Sequence, residues 1–178
     1  MMEIQQIARQ CRLAPRKVRY VLDQKLLPRF RGRKRCDLPG QPRAYSPFES
    51  YFIAAAALLY DAGIKRQTIH GLFQCLGDAT CPVTKFFSAE PSARQREQGE
   101  PASILGAIYS WAEKSSYLTI GDGHAVQIRL GRLESTWFDP RTCLTLVQNF
   151  QPRVVVQFQL DDLAEQFREE GVSVNRKK

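Results

Sequence analysis

The chain has two histidines, two tryptophans, five cysteines and no apolar run near the roughly 20 residues needed to cross a bilayer. No membrane span is expected, and the first residues carry no signal-type hydrophobic region, so the expected compartment is the cytoplasm. Cys11, Cys36, Cys75, Cys81 and Cys143 are too few and too scattered for a disulfide scaffold, and an odd number cannot all pair. Cys75 and Cys81, the one close pair, have five intervening residues, a poor fit to an ordinary zinc knuckle. Buried or incidental thiols explain the cysteines more simply, and neither a metal nor a cofactor is expected. His70 suits a surface or packing role on a helix. His124 lies near Asp122, but that pair supplies no nucleophile, and Gly121-Asp122-Gly123 lacks the strand-to-helix setting of a nucleotide cradle. The chain is not expected to be an enzyme.

Acidic residues are scarce in one half only. Up to Phe73 the chain holds fourteen Lys/Arg against five Asp/Glu, and beyond it twelve against thirteen, so the net charge of +8 resides at the front. A compact basic region attracts a polyanion, with affinity that falls as salt rises. Charge alone leaves DNA, RNA, anionic lipid and a solubilising surface open.

Ile4, Ile7 and Ala8 form an apolar stripe, followed by Leu13. A second segment begins at Pro15, a residue suited to a first helical turn, with Val18, Val21 and Leu22 on one side and Arg16, Lys17, Arg19 and Tyr20 available to the other. The pattern predicts a tight helix-turn-helix with a basic exposed face. From Leu26 to Ala44 the prolines and glycines exclude a continuous helix, and Arg29, Arg31, Arg33, Lys34 and Arg35 concentrate cations in an irregular hairpin. Such a hairpin is either a solvated basic loop or a device that reaches phosphates or the minor groove. Ser46 and Pro47 then cap and start a third helix, with Tyr51, Phe52, Ala55, Leu58, Leu59 and Ala62 apolar and Gly63 placed to end it. Ile64 to Phe73 reads as a fourth helix, with Ile69, Leu72 and Phe73 inward.

Prolines and a polar run between Gln74 and Ala102 suggest a linker or irregular insertion. Ile104 to Lys114 reads as a helix. The period then changes to that of strands: Tyr117, Thr119 and Ile120 lead into the turn Gly121-Asp122-Gly123, and Ala125, Val126, Ile128 and Leu130 continue beyond it. Two more strands are expected over Cys143 to Val147 and Val154 to Phe158, and a final amphipathic helix over Leu160 to Glu169, with Leu163, Ala164 and Phe167 inward. Residues 175–178 are a basic tail expected to fray. The expected organisation is a mainly α domain at 1–74, a linker at 75–102, a small α+β domain at 103–172 and a basic tail at 173–178. Trp111, Trp137 and Phe138 suit a core or a subunit interface, or else a small-molecule pocket. Val154 and Val156 suit a central or pairing strand, and an exposed sheet edge would offer a route to dimerisation.

Taken together, Ile4-x-x-Ile7-Ala8, Pro15-Arg16-x-Val18-Arg19-Tyr20, Lys25-Leu26-Leu27-Pro28, Arg43-x-Tyr45-Ser46 and Ala62-Gly63-Ile64-x-x-x-x-Ile69 resemble the MerR superfamily of winged-helix DNA-binding proteins, over residues 3 to 73. The resemblance implies a winged helix-turn-helix fold for the first domain. It places Arg16, Lys17 and Arg19 on a recognition helix, with Arg16 and Lys17 toward base edges, Tyr20 on the DNA backbone, and Arg43 and Tyr45 at the corner between wing and helix. Arg19 has the alternative of bracing the helix through an internal polar pair. Val21 and Leu22 stand where many relatives have an aromatic residue and a glutamate. A proline-containing linker replaces the long dimerising helix that commonly follows.

The expectation is a sequence-specific, double-stranded DNA-binding regulator of transcription, cytoplasmic and nucleoid-associated. Its second domain would pair two copies into a homodimer or contact a protein partner. An architectural DNA-binding factor for recombination or excision and a protein-interaction module are the alternatives. RNA is disfavoured because no aromatic sheet motif for splayed bases is present.

Overall fold

The computed structural model describes residues 1–27, 33–34, 43–78, 81–83, 116–130, 132–146, 150–163 and 166–167. A mainly helical N-terminal region is followed by a strand-rich C-terminal region. The chain divides into two compact units, one of residues 1–63 with 163–178 and the other of residues 64–162.

The first unit opens with a two-residue strand, β1 (Met2–Glu3), leading directly into α1 (Ile4–Gln10). Glu3 and Gln6 satisfy each other's backbone donors in a capping box. After a short turn, α2 (Pro15–Asp23) starts with proline at the position where a missing N–H costs nothing. Both helices end in Schellman geometry with a cation in the left-handed residue that usually falls to glycine. Arg12 has φ 56° and Lys25 φ 52°. Leu13 N–H donates to Ala8 O at 2.8 Å and Leu26 N–H to Val21 O at 3.1 Å. Ile7, Ala8, Val18 and Val21 are buried, as their spacing predicts.

Strands β2 (Arg33–Lys34) and β3 (Arg43–Tyr45) are antiparallel, and β1 adds to the other side of β3. The register sets Arg33 opposite Ala44, Lys34 opposite Arg43, and Met2 opposite Tyr45. Helix α3 (Pro47–Asp61) begins with the expected cap: Ser46 Oγ accepts from Glu49 N–H at 3.2 Å, and Glu49 Oε2 accepts from Ser46 N–H at 2.9 Å. Tyr51, Phe52, Ala55 and Leu59 are buried, with Leu58 at the margin. Ala62 is exposed, in contrast to the apolar pattern, because it is the C-cap and the helix has ended. Gly63 follows at φ 82°, the left-handed stop that its position predicts. Near the C-terminus, residues 160–163 and 166–167 are helical, with Leu163 and Phe167 buried. Within the first unit, Gln10 Nε2 donates to Gln166 O at 2.6 Å.

The second unit holds α4 (Arg66–Gly77) and an antiparallel sheet. The helix runs past Phe73 because Cys75 and Leu76 continue its buried stripe of Ile69, Leu72 and Phe73. The sheet comprises β4 (Ser116–Gly121), β5 (Ala125–Leu130), β6 (Leu133–Glu134), β7 (Phe138–Asp139), β8 (Leu144–Thr145) and β9 (Val155–Gln159). Its order is β8-β7-β5-β4-β9, with β6 paired to β5. Leu118, Ile120, Val126, Ile128, Leu130 and Phe138 are buried, following the alternation of a sheet with one covered face. The turn between β4 and β5 also anchors β9, since Asp122 Oδ1 accepts from Arg153 N–H at 3.1 Å and Val154 N–H at 3.0 Å. The helix expected over Ile104 to Lys114, together with Trp111 and Ala164, lies outside the described residues.

Candidate functional site

Two groupings of side chains merit a chemical reading, one in each unit. The first is the polar side of α2. Val18 and Val21 anchor the helix to the core, which turns Arg16 and Arg19 to solvent. Residues three apart share a helix face, so these guanidinium groups are neighbours on one surface. Arg12, held out by its left-handed turn, is exposed just before them.

Lys17 and Tyr20 face α3 instead. Lys17 is half-buried and forms an ion pair with Asp61. The Tyr20 ring stacks on that of Tyr60 with centroids 4.5 Å apart and planes inclined by 18°. These contacts fix the helix while leaving Arg16 and Arg19 outward. On the small sheet, Arg43 is exposed, whereas Tyr45 is only 4 % exposed. Burial pushes the Tyr45 phenol up from its ordinary range, partly opposed by Arg43. Arg33 and Lys34 occupy β2 as backbone register positions, and Arg29, Arg31 and Arg35 lie outside the described residues.

The second grouping is a triangle of thiols in the second unit. Cys75 lies in the last turn of α4, and Cys81 follows the helix in sequence, its N–H donating to Asp78 O at 3.1 Å. Cys143 comes from the turn between β7 and β8. The three Sγ atoms lie within 4.8 Å of one another, with Cys75 and Cys81 buried and Cys143 partly so. Cys75 Sγ and Cys81 Sγ are in hydrogen-bond contact at 2.7 Å. Burial pushes the Cys75 thiol up, reinforced by Cys143 and Cys81, and burial likewise raises Cys143. Burial thus favours the neutral thiol at Cys75 and Cys143, and a bound cation is the group that would favour thiolates there.

Three features hold Cys143 in place. Its backbone is left-handed, with φ 56°, and its N–H donates to Asp139 O at 2.8 Å. Asp139 and Arg141 brace the turn through a two-pronged contact that holds the Asp139 carboxyl below its usual range, chiefly by hydrogen bonding. Gly71 lets the turn approach α4: a Cβ there would stand 2.7 Å from Pro140 O and 2.9 Å from Pro140 C. Sequence spacing offered only the Cys75 and Cys81 pair, because Cys143 reaches the cluster through tertiary packing. The glycine at 71, set inside an otherwise regular helical pattern, is the one local signal of a close approach.

The aromatic candidates separate. Phe138 is fully buried in the sheet core. Trp137 is half-buried, packs edge-on against Phe150 at 5.4 Å, and lines an open cleft of about 320 Å³ with Gln127, Glu134, Ser135, Thr136, Thr145 and Leu146. Val154 and Val155 are 62 % and 53 % exposed, Val156 is half-buried, and β9 is a terminal strand of the sheet among the described residues. No helix among the described residues is long and apolar enough to cross a membrane. Comparison with protein-family models, curated proteins and solved structures gave no match, so both groupings are read from their own geometry.

Proposed function

We propose that this chain binds double-stranded DNA as a sequence-specific regulator of transcription. In this reading the first unit is a winged helix-turn-helix of MerR type. Helix α2 enters the major groove, and the β2–β3 pair, with the arginines that precede it in the sequence, forms a wing on the backbone or in the minor groove. The observation that carries it is the outward pairing of Arg16 and Arg19 on a short helix whose other cation and tyrosine are committed to α3. A guanidinium fork matches the two acceptors of guanine, and a helix held from behind can present that fork at a defined height.

The sequence of the wing adds support, since Arg33, Lys34 and Arg43 all fall on the β2–β3 pair, and clustered cations suit a surface that meets a polyanion. Two copies would join modest half-site contacts into a tighter complex, and terminal strand β9 offers the edge through which they would pair.

Anisotropy titrations with mixed-sequence duplex DNA at low and physiological salt test the reading. Wild type should bind more weakly as salt rises, and the Arg16→Ala/Arg19→Ala chain should lose about tenfold or more in affinity. Equal affinity in the two chains, or binding indifferent to salt, would remove α2 as the DNA-reading element.

A further inference from the structure

We propose that Cys75, Cys81 and Cys143 form a three-thiolate site for one divalent, thiophilic metal ion of the zinc group, which ties the end of α4 to the turn between β7 and β8. The inference does not depend on DNA binding, since every residue it uses belongs to the second unit.

Sulfurs bound to one ion through bonds of about 2.3 Å are separated by roughly 3.8–4.0 Å. The three Sγ atoms lie within 4.8 Å of one another, and the Cys75–Cys81 pair, at 2.7 Å, would open by roughly 1 Å to admit the ion. A disulfide would use two of them and leave no role for the third. The approach of Cys143 is built from several devices that serve the same end: the Gly71 contact, the left-handed backbone of Cys143 and the Asp139–Arg141 brace. Soft thiolates favour zinc-group ions over magnesium or calcium, which prefer oxygen. Binding replaces three S–H bonds with three metal–sulfur bonds and releases three protons to solvent. The complex then carries one net negative charge.

The test uses the full chain, reduced and stripped of metal, titrated with Cd²⁺ and separately with Zn²⁺. Native mass spectrometry should show one ion per chain, and Cd²⁺ should produce the ultraviolet charge-transfer absorption of cadmium–thiolate bonds at an intensity matching three sulfurs. Cys143→Ser should lower affinity at least tenfold and cut the absorption, while Cys11→Ser should change neither. Gly71→Ala keeps all three thiols but displaces the turn, and should also weaken binding. Metal should raise the melting temperature of wild type and not that of Cys143→Ser. Because the wild-type stoichiometry and absorption need no variant, a misfolded mutant does not protect the proposal. No bound ion in wild type would overturn it, as would binding unchanged in Cys143→Ser. A Cys75–Cys81 disulfide as the form that persists under reductant, with no metal taken up, would overturn it as well.

Discussion

Tyr20 and Tyr60 lie face to face, with ring centroids 4.5 Å apart, and so join the helix that carries Arg16 and Arg19 to the long helix behind it. The stack separates two roles for Tyr20. Tyr20→Phe keeps the ring, so urea denaturation should show nearly unchanged stability, and any loss of DNA affinity would report a hydroxyl contact with phosphate. Tyr20→Ala should lower stability by about 0.5–1.5 kcal/mol for the stack, in addition to the loss of buried ring area.

Lys25 occupies a left-handed position at the end of α2. Glycine takes that conformation without the steric cost a side chain incurs there. Lys25→Gly should therefore stabilise the chain by about 0.5–1 kcal/mol, read as a higher urea midpoint with an unchanged slope. A lower midpoint would mean that the contacts of the lysine outweigh its backbone cost.

Gly71→Ala should have the opposite effect. Its new methyl would meet the backbone of Pro140, which cannot turn aside as a side chain can. A loss of about 1–3 kcal/mol is expected. Stability equal to wild type would show that the turn between β7 and β8 yields freely to α4.

Burial pushes the Cys11 thiol from its ordinary 9.0 up to about 11. The folded state thus holds the proton more tightly than the unfolded chain. Its contribution to stability is complete below pH 9 and declines as pH rises through about 11. Cys11 should also alkylate slowly at neutral pH, with a rate that climbs toward pH 11, measured by peptide mass after timed labelling. Rapid labelling at neutral pH in the folded chain would contradict the burial argument.

The parts legible in the sequence are those set by nearby residues. Pro15 begins α2, Ser46 with Glu49 caps α3, Gly63 ends it, and the Asp122 turn joins β4 to β5. Each depends on backbone groups a few positions away, so local chemistry is enough. Strand β1 was not legible: two residues, Met2 and Glu3, have no periodicity, and only their pairing with Tyr45 and Ala44 makes them a strand. Nor could spacing disclose that Lys17 is drawn to Asp61 while Arg16 and Arg19 face solvent. The thiol cluster stayed hidden for the same reason, because Cys143 meets Cys75 only after the sheet has folded against α4 within the second unit.

The most direct measurement is selection from a random double-stranded DNA library at physiological salt, with the Arg16→Ala/Arg19→Ala chain carried through the same rounds. Sequence-specific recognition by α2 predicts an enriched motif for wild type that is lost in the variant, and a two-fold repeat within it if two copies bind. A folded wild-type chain that enriches no motif, or a variant that recovers the same one, would contradict it.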